Sequence, residues 1–243
     1  MKKIKLLKNK GITYNDYKND LNEIEKDKKR GIEFFKNIYK EYCKKCLKKN
    51  YMDFDDLLLN TYLLFKNDNK VLAHYQNEIE YILIDEYQDT NHIQFEILKQ
   101  LSEKKKKICI VGDDYQSIYS FRGADINNFL NFTTIFNNYR KFELRRNYRS
   151  TSNIVNIGSQ LIKNNRNQMK KNLFSNITEE NEKINILKNE DDIKESENIG
   201  NIIKKLLSEQ KCKYKVIAIL YRKNIQSFTF QKTFSEKNII KTK

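Results

Sequence analysis

Residues 1 to about 75 mix charged and apolar positions at a helical period. Ile32, Phe35, Tyr39 and Tyr42 recur three or four apart, as do Leu58, Tyr62 and Phe65, so each set lines one helix face. Between them, Met52-Asp53-Phe54-Asp55-Asp56-Leu57 places carboxylates at a helix start, where they offset the partial positive charge of unpaired N–H groups. Near residue 80 the period changes. Residues 81–84 (Tyr-Ile-Leu-Ile) form a short apolar run ending in two acids, the pattern of a buried parallel strand. Thr90 or Asn91 caps the helix that follows, with Ile93, Ile97, Leu98 and Leu101 as its apolar face. Lys104 to Lys107 then lead into a second apolar run, 108–111, closed by Gly112.

A further strand is expected at Phe142 and Leu144. Ser150, Thr151 or Ser152 caps a helix with Ile154, Ile157 and Leu161 on one face. A polar stretch of about 164–184 precedes a helix around 202–207, another buried strand at 216–220 and a helix from 225 to 234. Strands alternating with helices argue an α/β sheet, and ligands gather at the carboxyl ends of such strands. Both acidic segments, 85–90 and 112–125, sit at those ends.

The net charge of +15 favours an acidic partner, nucleic acid above all. The absence of Pro and Trp, with abundant Lys, Asn and Ile, is also what an AT-rich coding sequence gives, which tempers that inference. Cys43 and Cys46 form one C-x-x-C, with no second pair or His cluster to complete a zinc site, so reduced thiols in an intracellular protein are expected. No apolar window reaches the length of a membrane span, and no signal peptide is visible. Cytoplasm or nucleoid is expected in a bacterium, a nucleus or organelle in a eukaryote.

The chemistry concentrates in three segments. In a nucleotide-hydrolysing site an Asp at a strand end, as Asp85 is expected to be, holds Mg²⁺ through water, because magnesium prefers hard oxygen ligands. The adjacent Glu86 is placed to orient or deprotonate an attacking water. Phe121 beside Arg122 reads as a base-stacking platform with a phosphate contact, and Tyr119 divides evenly between DNA contact and core. Arg145, Arg146 and Arg149 cluster at the end of the expected strand.

In order, Asp85-Glu86-Tyr87-Gln88-Asp89-Thr90, then Gly112-Asp113-Asp114-Tyr115-Gln116-Ser117-Ile118-Tyr119-Ser120-Phe121-Arg122-Gly123-Ala124-Asp125, then Asn147-Tyr148-Arg149-Ser150-Thr151 resemble helicase motifs II, III and IV of the UvrD/Rep/PcrA-like superfamily 1 DNA helicases. The stretch 52–58 and the run from Ile217 to Ser227 resemble flanking segments of the same family. The resemblance spans roughly residues 10 to 235. It implies parts of two RecA-like (P-loop NTPase type) parallel-sheet domains with an N-terminal helical insertion: 1–75 as the insertion, 76–143 as the second half of the first RecA-like domain, 144–243 as the start of the second. It implies ATP and Mg²⁺ as cofactors, and single-stranded DNA and single-strand/duplex junctions as partners. It assigns Gln116 to sensing the terminal phosphate and coupling it to bound DNA. Tyr148 would pack near the adenine, and Arg149 would reach across the domain cleft to the γ-phosphate. Family members often carry Trp where this chain has Phe121.

The implied function is a 3′-to-5′ DNA helicase or single-stranded DNA translocase in repair, replication or recombination. A phosphate-binding loop needs two glycines five apart followed by Lys-Ser/Thr. Gly11, Gly31, Gly112, Gly123, Gly158 and Gly200 include no such pair. The chain is therefore expected to be a fragment that cannot turn over ATP alone. The alternatives are a split subunit, a non-enzymatic DNA-binding remnant, or the motor of a helicase–nuclease.

Overall fold

The computed structural model describes residues 1–136, 138–177, 183–237 and 239. They divide into two compact units, one running to Ile177 and one beginning at 178.

The first unit opens with helices α1 (Lys2–Asn9), α2 (Tyr14–Asn19), α3 (Leu21–Lys29), α4 (Phe35–Lys48), α5 (Phe54–Asn67) and α6 (Asn69–Glu78). The aromatic stripe of α4 is its buried face: Phe35 and Tyr39 pack with Ile4, Leu7 and Tyr17. Tyr17 meets Phe35 edge-on at 5.2 Å, the arrangement ring quadrupoles favour. In α5 the fully buried positions are Leu59 and Phe65. Asp53 caps that helix: its Oδ1 accepts the Asp56 N–H at 2.7 Å while Asp56 reaches back to the Asp53 N–H. The same carboxylates hold a buried lysine. Lys8 Nζ lies 2.7 Å from both Asp53 Oδ2 and Asp56 Oδ1, and Tyr42 donates its hydroxyl to Asp53. Burial alone pushes the Asp53 carboxyl up, but the Lys8 and Tyr42 hydrogen bonds outweigh it and hold it at about 2.

Two parallel strands follow, β1 (Ile82–Ile84) and β2 (Ile108–Ile110), joined through α7 (His92–Ser102), with Ile82 opposite Ile108 and Ile84 opposite Ile110. Asn91 is the cap of α7, in a capping box with Gln94. The sequence reads these as buried strands; neither face is fully so. Leu83 and its register partner Cys109 are exposed, while the flanking isoleucines are half-buried. Side chains alternate along a strand, and among the described residues this sheet has one partly covered face. Beyond it come α8 (Asn127–Leu130) and α9 (Phe132–Ile135), whose Phe129 and Phe132 enclose Tyr87. Then β3 (Arg146–Asn147) pairs in parallel with β4 (Phe174–Ser175) across α10 (Ser152–Ile162). No strand forms at Phe142 and Leu144, which stand exposed; the ladder begins only at Arg146. Thr151 takes the cap position of α10.

In the second unit α11 (Asp192–Ser208) packs on α12 (Gln226–Glu236) around Ile203, Phe234 and Ile239. Residues 216–220 do not form the expected strand. A single turn of 3₁₀ helix covers Tyr214–Val216, and irregular chain follows. Ile217 and Ile219 pack against the core while Val216 and Leu220 face solvent. An apolar run becomes a strand only beside a hydrogen-bonding neighbour, and no strand pairs with it among the described residues. The architecture is mixed α/β with small parallel sheets.

Candidate nucleotide and nucleic-acid site

The site is built on the carboxyl ends of β1 and β2. Asp85 and Glu86 leave β1 directly, and Asp85 Oδ1 accepts the Glu86 N–H at 2.9 Å. Glu86 adopts φ +50°, a left-handed conformation unusual outside glycine, and so carries local backbone strain. The chain then turns through Tyr87–Asp89, anchored by the Tyr87 N–H on the Val111 carbonyl at 3.0 Å.

Within that turn Gln88 is buried, and both ends of its amide are used. Nε2 donates to Glu86 Oε2 at 2.7 Å, and Oε1 accepts the Asp113 N–H at 3.0 Å. Gly112 makes room for this bridge: a Cβ there would lie 2.6 Å from Gln88 Oε1. Asp113 continues the chain of bonds, accepting from Gln116 Nε2 at 2.9 Å and from Lys171 Nζ at 2.6 Å. Burial pushes the Asp113 carboxyl up, but the Lys171 and Gln116 hydrogen bonds overcome it and leave it below the ordinary range. Glu86, Gln88, Asp113 and Gln116 thus form one hydrogen-bonded row across the two strand ends.

The segment carrying Gln116 returns to the start of α7. Asp125 donates its N–H to the Thr90 carbonyl at 2.9 Å, and Ala124 bridges to Asn91. Gly123, at φ +99°, makes the turn against Asn9. On the outer side of this loop Phe121 is 66% exposed, which removes it from the core. The Arg122 guanidinium lies 4.7 Å from the Tyr119 ring centre and 5.5 Å from that of Phe121. The two rings are 6.0 Å apart, with Tyr119 half-buried. These three side chains form an exposed aromatic surface with a cation on it.

In the third segment, Asn147 Oδ1 accepts the N–H groups of Arg149 and Ser150 at 2.9 and 2.8 Å, bending the chain into a side-chain-closed turn. Tyr148 and Arg149 are consequently exposed. The Arg146 guanidinium covers the Tyr148 ring at 4.8 Å, and Arg145 pairs with Glu143 at 2.6 Å. Among the described residues, the hydrogen-bonded row from Glu86 to Gln116 does not extend to Tyr148 or Arg149. Sequence reasoning gave no role to Gln88, Asn147 or Lys171. An amide inside an acidic string and an Asn two residues before an Arg were the available signals for the first two.

Asp85 and Glu86 supply hard oxygen donors. The described residues contain no cluster of three or more His, Cys, Asp or Glu side chains able to hold a metal. An ion held jointly with a nucleotide's phosphates takes only one or two carboxylates, so Asp85 fits water-mediated magnesium. No helix among the described residues is long and apolar enough to cross a membrane.

Paired acids and an amide-bearing loop thus lie at parallel strand ends, with an arginine–aromatic surface further along that loop. Residues 1–137 match the UvrD/REP helicase N-terminal domain, and residues 142–243 match the UvrD-like helicase C-terminal domain. The chain is 40% identical to the ATP-dependent DNA helicase PcrA of Bacillus subtilis over 225 residues, covering 91% of this chain and 30% of that protein. It is likewise 40% identical to the ATP-dependent DNA helicase Rep of Buchnera aphidicola subsp. Acyrthosiphon pisum, over 84% of this chain and 32% of the relative. PcrA of Staphylococcus aureus matches at 39% over 204 residues. The chain belongs to the UvrD/Rep helicase family. It spans about three-tenths of the length of the first relatives it matches.

Proposed function

We propose that this chain supplies the water-activating, phosphate-sensing and DNA-gripping parts of an ATP-dependent 3′-to-5′ single-stranded DNA translocase or helicase. Its elements are read as 1–75 for a helical insertion, 76–143 for the second half of one RecA-like domain and 144–243 for the start of another. Asp85 holds magnesium through water, and the ion offsets charge on the phosphates. Glu86 takes the proton of the attacking water, and its carboxylate is held by the Gln88 amide. Gln116 presents its amide to the terminal phosphate. Arg149 balances charge from the facing side, and Tyr148 packs near the adenine.

One observation carries this reading. The loop from Gly112 to Gly123 holds both Gln116, tied through Asp113 and Gln88 to Glu86, and the exposed Phe121–Arg122–Tyr119 surface. A change felt at the phosphate end is thereby placed to move the DNA end. Hydrolysis further requires a G-x-x-x-x-G-K-[S/T] segment, which these 243 residues do not contain.

The test is fluorescence anisotropy with a labelled single-stranded oligonucleotide. The chain should bind it, and Phe121→Ala should weaken binding at constant salt. Equal affinity of the two proteins would remove the DNA-contact assignment.

A further inference from the structure

The segment after α10 lies against the start of the Gln116 loop. Lys171 Nζ sits 2.6 Å from Asp113 Oδ1 and also meets the Asp114 carboxylate, whose side chain is wholly buried. The same ammonium covers the Tyr115 ring at 4.5 Å. The Lys171 N–H donates to the Tyr115 hydroxyl at 3.3 Å, and the Met169 N–H donates to Asp114 Oδ2 at 2.6 Å. Burial alone lowers the Lys171 ammonium, but its hydrogen bonds to Asp113 and Asp114 win and raise it above its ordinary value.

The Lys171 side chain is only 18% exposed, so its charge is withdrawn from any DNA strand passing over the loop. A buried ion cluster gains little net stability over apolar packing; its attested use is fixing one geometry among several. Here the geometry fixed is that of residues 113–115, the first turn of the loop. Asp113, held by Lys171, caps that turn through the Tyr115 N–H at 3.1 Å and holds Gln116. Phe121 and Arg122 follow on the same loop before Gly123 closes it.

We propose that Lys171 is a positioning residue for DNA binding: it clamps Asp113 and Asp114 and so sets the loop on which Phe121 and Arg122 meet the strand. This rests on the DNA-contact reading of that loop.

Charge arithmetic and positioning make opposite predictions. Asp114→Asn removes a negative charge, which by electrostatics alone strengthens DNA binding; loss of the clamp weakens it. Lys171→Met should weaken single-stranded DNA binding by about fivefold to tenfold, while leaving the slope of log affinity against log salt unchanged. Lys171→Arg should restore most of the loss. The double variant Lys171→Met/Asp114→Asn removes the buried carboxylate charge together with the ammonium and keeps an oxygen to accept the Met169 N–H, and it should bind as weakly as Lys171→Met. The chain has no Trp, so Phe121→Trp introduces a single indole, excited selectively over the tyrosines, on the loop. In that background Lys171→Met should lower the indole anisotropy, and Lys171→Arg should return it. A salt slope reduced by about 0.7, the value of one lost phosphate contact on a single strand, would overturn the proposal by making Lys171 a direct contact. Tighter binding by Asp114→Asn, or unchanged binding by Lys171→Met and the double variant, would also overturn it. If Phe121→Ala weakens binding and these variants do not, the DNA reading stands and the clamp falls. If Phe121→Ala has no effect, both fall.

Discussion

Gln88 holds Glu86 by a 2.7 Å hydrogen bond from its buried amide, while the other end of that amide receives the Asp113 N–H. The acid expected to activate water therefore has no independent position. It is fixed to the start of the neighbouring loop through one side chain.

Gln88→Leu keeps the volume and removes both bonds. It leaves the Asp113 N–H without its partner and should destabilise the first unit by about 1–3 kcal/mol. Urea unfolding checks this, and Gln88→Glu should not rescue it: a carboxylate there can accept the Asp113 N–H but cannot donate to Glu86 and sets a like charge beside it.

Gly112→Ala puts a Cβ 2.6 Å from Gln88 Oε1 and 2.9 Å from Phe129 Cε2. Neither neighbour is free to withdraw, because one is bonded at both ends and the other packs on Tyr87. A cost of about 1–3 kcal/mol is expected, read from the denaturation midpoint.

Phe121 is exposed beside Arg122, so its loss should leave stability unchanged and reduce single-stranded DNA affinity. Stacking is worth roughly 1–3 kcal/mol per base, so Phe121→Ala should weaken binding about fivefold to 150-fold. Phe121→Trp, with more ring area, should bind at least as tightly.

Asp53 gives a pH dependence of defined sign. Its folded carboxyl titrates at about 2, below the ordinary 3.8. A depressed acid contributes stability that is present above the unfolded value and lost as pH falls through the folded one. The wild type should therefore lose stability between about pH 4 and pH 2 more steeply than Asp53→Asn, with the curves parallel above pH 5. Urea midpoints measured across that range decide it.

Much of the site was legible before the fold. The acids after an apolar run, the Gly-bounded loop and the helix cap at Asn91 follow from local chemistry, and each occupies the predicted kind of element. The strands at Phe142 and 216–220 did not form, because apolar composition cannot reveal whether a neighbouring ladder exists. Leu83 and Cys109 looked buried for the same reason: a run of apolar residues does not say how many faces are covered. Gln88 and Lys171 escaped notice because their partners are defined only once the two loops meet. The roles of Arg149 and Tyr148 rest on resemblance, and both side chains stand exposed.

The most direct measurement of the central claim is single-stranded-DNA-stimulated ATP hydrolysis by the protein purified from its host with whatever polypeptide accompanies it, compared with Glu86→Gln. General-base catalysis contributes about 10²–10⁴-fold. The account predicts DNA-stimulated turnover that falls by at least about 10²-fold in Glu86→Gln while DNA affinity is retained. Absence of DNA-stimulated hydrolysis in the wild type, or an undiminished rate in Glu86→Gln, would contradict it.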